Sequence, residues 1–364
     1  MIYHIYWGTS GNSGLYLHEI YQTLQSKGYN QRAFVNYYFP FDYGDKIFFK
    51  RGDIAYGTVK GRTRKLFQLL EVINGYIIIL LCSLKDHPRV INYSHVGQSY
   101  FFVPLYLRLL KAVSRSTLMV TCHDVAPHSS SSSEMANRRK IFSIADYLLV
   151  HTANSSEELV QLFGCDRKKI VKHPFPIMDL SILSKKEDRN PFSTTDFLFI
   201  GHVRTDKGIE FLLNSWPKFH EKCPDAKLRV CGGKQPNVSF DQDGLEKINV
   251  EFNLHFISNE DYFNYVRSAR CVILPYLQGT NSGIISTVLS LGTDVVTSNI
   301  PMFAENPLVN DGDMFITGDT ESLVNKLMEK YHQTSSKSLE KIEEYRNRFS
   351  EELDIVYKRL LINK

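Results

Sequence analysis

A short apolar run, Cys271 to Leu274, leads into Pro275-Tyr-Leu-Gln-Gly-Thr-Asn-Ser-Gly-Ile-Ile-Ser-Thr-Val-Leu-Ser-Leu-Gly292 and then Thr-Asp-Val-Val296. The run predicts a buried strand, and the polar, glycine-bearing stretch after it predicts a turn. The turn opens a helix that closes at Gly292 before a second strand. Such a strand–turn–helix gathers free backbone N–H groups, the positive end of a helix dipole and the Ser282 hydroxyl at one point. An anion of diphosphate type binds at such points.

Upstream, Phe197-Leu-Phe-Ile-Gly-His-Val-Arg-Thr-Asp-Lys-Gly208 repeats the plan, with Gly201 at the bend. Arg204 and Lys207 stand at the entrance of a helix predicted from about Gly208 to His220. A helix dipole disfavours positive charge at that end, so both cations are read as reaching across to an anion.

Strand and helix signals alternate along the whole chain, which predicts parallel sheets in a doubly wound α/β structure. In the first half, strands are expected at 2–7, 32–38, 90–94, 117–122 and 147–151. A Gly8–Gly14 loop opens the first helix, and Ser155 or Ser156 caps a later one. Pro174, Pro176 and the charged stretch Ser184–Arg189 mark a linker. A second run of strands follows at 197–201, 227–231, 249–257, 271–275 and 294–298. The expected domains are 1–178 and 190–345, with a helix in 346–364 crossing back to the first. At 364 residues the chain suits two α/β cores rather than one.

A net charge of +4 is too slight to imply nucleic acid. The six cysteines (Cys82, Cys122, Cys165, Cys223, Cys231, Cys271) have neither framework nor zinc spacing and read as buried, reduced thiols. The amino terminus lacks a basic n-region and reads as a first strand, which predicts a cytoplasmic protein. Leu66–Cys82, broken by Gln68, Glu71, Asn74 and Gly75, reads as too short and too polar to span a bilayer. The basic, aromatic segment Lys46–Lys65, with Phe48, Phe49 and Tyr56 among its cations, suits peripheral contact with an anionic leaflet or a solvated loop.

At the two carboxy-terminal segments the sequence resembles the retaining nucleotide-sugar glycosyltransferases of the GT-B fold, glycosyltransferase family 4 in particular. The matching residues are Gly201, Arg204, Lys207 and Gly208, then Ser282-Gly283 and Leu291-Gly292-Thr-Asp-Val-Val296. A looser match is Thr121-Cys-His123-Asp124-Val-Ala-Pro127-His128. The resemblance implies two Rossmann-like domains facing across a cleft. It also implies an enzyme, a hexosyltransferase working without a metal or other cofactor. Many members carry two glutamates where this chain has Gly279 and Thr287; the sequence resembles instead the branch in which a Ser-Gly pair opens the helix.

Carried over residue by residue, the resemblance assigns catalytic roles to His123, Asp124, Arg204 and Lys207. His123 would contact the donor sugar, and Asp124 would orient it or accept the acceptor proton. Gly14, Arg204, Lys207, Ser282 and Gly283 would hold the donor diphosphate, replacing the divalent ion of metal-dependent enzymes. Gly232, Phe256 and Thr287 would line the nucleoside, with Glu305 as a substitute at the ribose. His95 is a partly buried strand-end histidine or lines the acceptor side. The expected substrates are a UDP or GDP hexose and a lipid-linked glycan of lipopolysaccharide, capsule or exopolysaccharide type. The alternatives are an inactive scaffold of the same fold and a nucleotide-sugar epimerase, which would need more carboxylates than these loops carry.

Overall fold

The computed structural model describes residues 1–8, 13–50, 62–95, 101–125, 131–177, 192–279, 283–333 and 339–362. The chain divides into two α/β units, Met1–Pro176 with Asn347–Lys364, and Ile177–Arg346.

The first unit holds β1 (Ile2–Ile5), β2 (Gln31–Asn36), β3 (Asp45–Phe48), β4 (Val90–His95), β5 (Thr117–Cys122), β6 (Tyr147–Val150) and β7 (Ile170–Lys172). They form one sheet in the order β3-β2-β1-β4-β5-β6-β7, every pair parallel. Parallel strands need helical crossovers, and the sheet is covered on both faces. One is lined by Tyr3, Ile5, Phe34, Tyr93 and Val120, the other mixes Ile2, Val90 and Met119 with the buried, hydrogen-bonded His4, Asn92 and Thr121. The helices Arg62–Asp86, Val103–Ser114 and Ser132–Ile144 cover one face, burying Val72, Tyr76, Ile79, Leu107 and Phe142 with Tyr3, Phe34 and Tyr93. On another core, Tyr16, Ile20 and Leu24 of the Ser13–Ser26 helix pack with Phe349, Leu353 and Tyr357 of the Leu339–Ile362 helix.

The second unit holds β8 (Thr195–Ile200), β9 (Leu228–Cys231), β10 (Val250–Asn253), β11 (Ala269–Leu274), β12 (Asp294–Ser298) and β13 (Met314–Phe315). Their order is β10-β9-β8-β11-β12-β13, again all parallel. The strand order reverses between β1 and β4 in the first sheet and between β8 and β11 in the second. Open parallel sheets bind ligands outside the carboxyl ends of the strands at such reversals.

Several sequence expectations change. Phe48, the last residue of β3, and Phe49 after it are core residues, not aromatic side chains offered to a membrane; residues 51–61 of that segment lie outside the described residues. Phe48 lies so close to Gly75 that a Cβ there would sit 2.3 Å from its ring. The apolar passage at Leu66–Cys82 is part of a helix of 25 residues, Arg62–Asp86. By length and composition alone its Arg64–Asp86 part could cross a membrane. Its Val72, Tyr76, Ile79 and Ser83 side is nevertheless buried within the first unit. The helix after β6 begins at Ala153, capped by the Thr152 hydroxyl, which accepts from Ser155 N at 3.1 Å. All six cysteines are unpaired thiols.

Candidate functional site

In the second unit, Gly201 and the Arg204–Gly208 turn follow β8, and Pro275–Gly279 follows β11. These are the two strands at which the order reverses. Gly201 leaves its strand at φ +134° and Gly232 leaves β9 at φ +137°. A Cβ on Gly232 would lie 1.7 Å from the Gly201 carbonyl oxygen, so the strand ends meet only because position 232 has no side chain. Gly232, expected at the nucleoside, thus has a packing role. Its amide donates to Asn253 O at 2.8 Å, joining it to the end of β10. Phe256, beyond that end, is 87% exposed.

Thr205–Lys207 forms a single 3-10 turn, and Gly208 closes it at φ +68°. A Cβ on Gly208 would stand 1.8 Å from the Pro275 carbonyl oxygen. Two further ties join turn and loop: Leu277 N donates to Asp206 O at 3.0 Å, and the Lys207 ammonium lies 3.8 Å over the Tyr276 ring. Tyr276 is itself anchored, its carbonyl accepting from the buried Ser298 hydroxyl at 2.6 Å. The segments singled out separately in the sequence are thus locked face to face.

Arg204 carries a partner that its spacing did not announce. One guanidinium nitrogen donates to the Asp206 carboxylate at 2.6 Å, while Nε is buried without a hydrogen bond. Arg204, Asp206 and Lys207 together carry one net positive charge. Asp206 fixes the direction of the guanidinium, so that an incoming anion meets an ordered cation.

Ser282 lies outside the described residues. Gly283 precedes the Ile284–Ser290 helix, and its carbonyl accepts from the Ser286 hydroxyl at 2.8 Å, the Thr287 hydroxyl at 2.9 Å and Thr287 N at 3.1 Å. Thr287, expected at the nucleoside, is 2% exposed, and its hydroxyl donates to the Gly283 carbonyl inside its own helix turn. Glu305 is exposed at the end of the Pro301–Ala304 helix. A cavity of about 460 Å³ opens beside β10. Its Arg229 is already bound to Glu251 at 2.7 Å and to the Ser193 hydroxyl at 2.7 Å, which leaves it little capacity for an anion.

In the first unit, His123 follows β5, the neighbour of β4. Its ring meets the edge of Tyr16 at 4.6 Å and lies 5.8 Å from His151. Burial, and then the His151 ring, push the His123 imidazole down to about 3, so it is neutral at physiological pH. It can hydrogen-bond a sugar hydroxyl but does not supply a cation to phosphate. Asp124 is exposed, and its carbonyl accepts from Arg138 at 2.5 Å. Arg138 was not singled out in the sequence. It is fully buried on the Ser132–Ile144 helix, also contacts Val125 O at 3.4 Å, and pairs with Glu134 at 3.1 Å. It therefore sets the path of the chain after His123. An arginine on a polar helix is ordinarily solvated, and only Glu134 four residues before it hinted at a pair.

Gly14 lies within the first helix, where a Cβ would stand 3.7 Å from Phe39 and Tyr6. Residues 9–12 before it, and Pro127 and His128 after Asp124, lie outside the described residues. His95 ends β4.

The family described as "Glycosyl transferases group 1" matches residues 194–333, a span containing all six strands of the second sheet. An uncharacterized glycosyltransferase of Methanocaldococcus jannaschii is 25% identical over 166 residues, 43% of this chain and 41% of that protein. The match therefore spans about two fifths of that relative's length. Among solved structures, sucrose-phosphate synthase from Thermosynechococcus elongatus superposes with a TM-score of 0.66 at 14% identity, covering 100% of both chains. Anabaena HepE in complex with UDP-glucose gives a TM-score of 0.62 at 12% identity, covering 98% of this chain and 99% of that one. The chain is thus similar to glycosyltransferases in the sequence of its second unit, and it shares their two-domain Rossmann-like α/β fold along its full length.

Proposed function

We propose that the protein is a glycosyltransferase that takes a hexose from a nucleoside diphosphate sugar, and that its second unit holds the donor. The observation that carries this reading is the lock between the Arg204–Gly208 turn and the Pro275–Leu277 loop at the strand-order reversal, inside the span matched by the glycosyl transferases group 1 family.

In the proposed mechanism the bond between the sugar and the diphosphate breaks as negative charge grows on the leaving oxygen. Arg204, aimed by Asp206, and Lys207, seated on Tyr276, stabilise that charge without a divalent ion. Ser282 and Gly283 complete the diphosphate site from the start of the following helix. His123, held neutral by burial, donates or accepts a hydrogen bond at the donor sugar, and Asp124 handles the acceptor proton. Retention of anomeric configuration, and a lipid-linked glycan as acceptor, are part of the proposal.

The experiment is a panel of UDP and GDP hexoses, followed by nucleoside diphosphate release and by the configuration of the product. Release coupled to a product of unchanged configuration supports the reading. Interconversion of the donor sugar without transfer would make the protein an epimerase instead. Donor binding with neither release nor interconversion would make it a scaffold.

A further inference from the structure

Two helices of the first unit carry an outward surface to which the proposed function assigns no residue. Both cover the same face of the seven-stranded sheet, and they pack against each other through Tyr76 and Tyr106, stacked at 4.1 Å. Their outer sides therefore point the same way, away from the sheet.

On the Arg62–Asp86 helix, Leu66, Leu70, Ile77, Leu81 and Leu84 are each half exposed or more. They recur at helical spacing and make one stripe roughly 27 Å long. On and just before the Val103–Ser114 helix, Phe101 is 84% exposed and Leu105 71%, with Leu109 half exposed. Two exposed apolar stripes on neighbouring helices of one sheet face mark an interaction site rather than ordinary solvent-facing surface.

The exposed charge bordering this surface is basic, since both carboxylates of the Arg62–Asp86 helix are half-buried, Glu71 with one buried oxygen and Asp86 bound by Arg32 and the Tyr3 hydroxyl. Arg108 is exposed on the same helix as Leu105 and Leu109, Arg115 is exposed at its carboxy-terminal cap, and neither has an ion pair among the described residues. That helix has no acidic residue. Lys65 and Lys85 are exposed at the two ends of the other helix. Beside Arg108 and Arg115 opens a cavity of about 830 Å³, lined also by Lys111, Ser143 and Thr117. Lys111 is occupied by Asp146 at 2.6 Å. Thr117 begins β5, so the cavity lies at the end of that strand opposite His123.

We infer that this two-helix face docks on an anionic lipid bilayer, its leucines and Phe101 in the acyl boundary and Arg108 and Arg115 at the headgroup phosphates. Long apolar stripes bordered by arginine and lysine fit the membrane interface, where the hydrophobic and electrostatic terms add. A helix whose inner side is built into a sheet lies in the interface and does not cross it. The inference deepens the lipid-linked acceptor of the proposed function, but its test reads binding alone and is independent of any transfer activity.

The test is co-sedimentation of the full chain with phosphatidylcholine vesicles, with and without phosphatidylglycerol. Wild type is expected to sediment with the phosphatidylglycerol vesicles. Leu81→Glu with Leu105→Glu, both at exposed positions, should bind at least ~10-fold more weakly with unchanged melting. Arg108→Glu with Arg115→Glu should lose the preference for phosphatidylglycerol, each arginine contributing about fivefold. Wild type that ignores both vesicle types overturns the inference, as does binding that the leucine variants leave intact. A dimer in solution that Leu81→Glu with Leu105→Glu dissociates would assign the face to a second copy and overturn it equally.

Discussion

Replacing Gly208 by alanine attacks the lock between the turn and the loop without touching a charged group. The added Cβ would lie 1.8 Å from the Pro275 carbonyl oxygen, so turn and loop must separate by roughly 1.5 Å to reach ordinary contact. Alanine at φ +68° is itself strained, at about 1–2 kcal/mol. Separation breaks the Leu277–Asp206 hydrogen bond, about 1 kcal/mol, and weakens the contact of Lys207 with Tyr276, about 0.5–1 kcal/mol. The expected loss for the second unit is therefore about 3 kcal/mol. Trp216 is fully buried in that unit, and its emission in a Trp7→Phe background follows urea unfolding there. Gly233→Ala is the control, because a Cβ there meets nothing within 4 Å. If Gly208→Ala unfolds within about 0.5 kcal/mol of wild type, the two segments are not locked as described.

Acid should destabilise the first unit. His123 and His151 are pushed down to about 3 and His4 and His173 to about 4, chiefly by burial. Below the unfolded value near 6.5 the unfolded chain binds more protons than the folded one. Stability is therefore full above that pH and falls, by roughly 1.4 kcal/mol per pH unit per histidine, as pH drops towards 4; equal melting temperatures at pH 7 and pH 5 would refute this. Arg138→Met strands Glu134 and the Asp124 carbonyl and should cost about 3 kcal/mol, measured by chemical denaturation. Thr287→Val removes a hydroxyl bound only to Gly283 O, costing about 1 kcal/mol of stability and leaving the KM for the donor unchanged; a KM that rises tenfold would restore Thr287 to the ribose.

The fold was legible where apolar runs and glycines coincide. Phe197–Ile200 and Cys271–Leu274 read as buried strands because both faces of a parallel sheet are covered, and Gly201 and Gly208 mark bends that need positive φ. The short edge strand β3 was not legible: Asp45 and Lys46 mask Phe48, which is buried through contact with a helix further along the chain. Arg204 and Lys207 were legible as charges, whereas the Arg204–Asp206 pair needed the turn's geometry. The bond from the Thr287 hydroxyl to Gly283 O was not legible, because a threonine hydroxyl satisfied within its own helix looks, in sequence, the same as one offered to a ligand. The outward leucine stripe on the Arg62–Asp86 helix was not legible, since hydropathy does not reveal which side of a helix the sheet leaves uncovered.

The central claim is that Arg204 and Lys207 stabilise the departing diphosphate. The direct measurement is the single-turnover rate of nucleoside diphosphate release by Arg204→Ala and Lys207→Ala, with melting temperature recorded in parallel. The account predicts a loss of at least ~100-fold in each, about 3 kcal/mol of barrier, with little change in melting. Rates near wild type in either folded variant would contradict it.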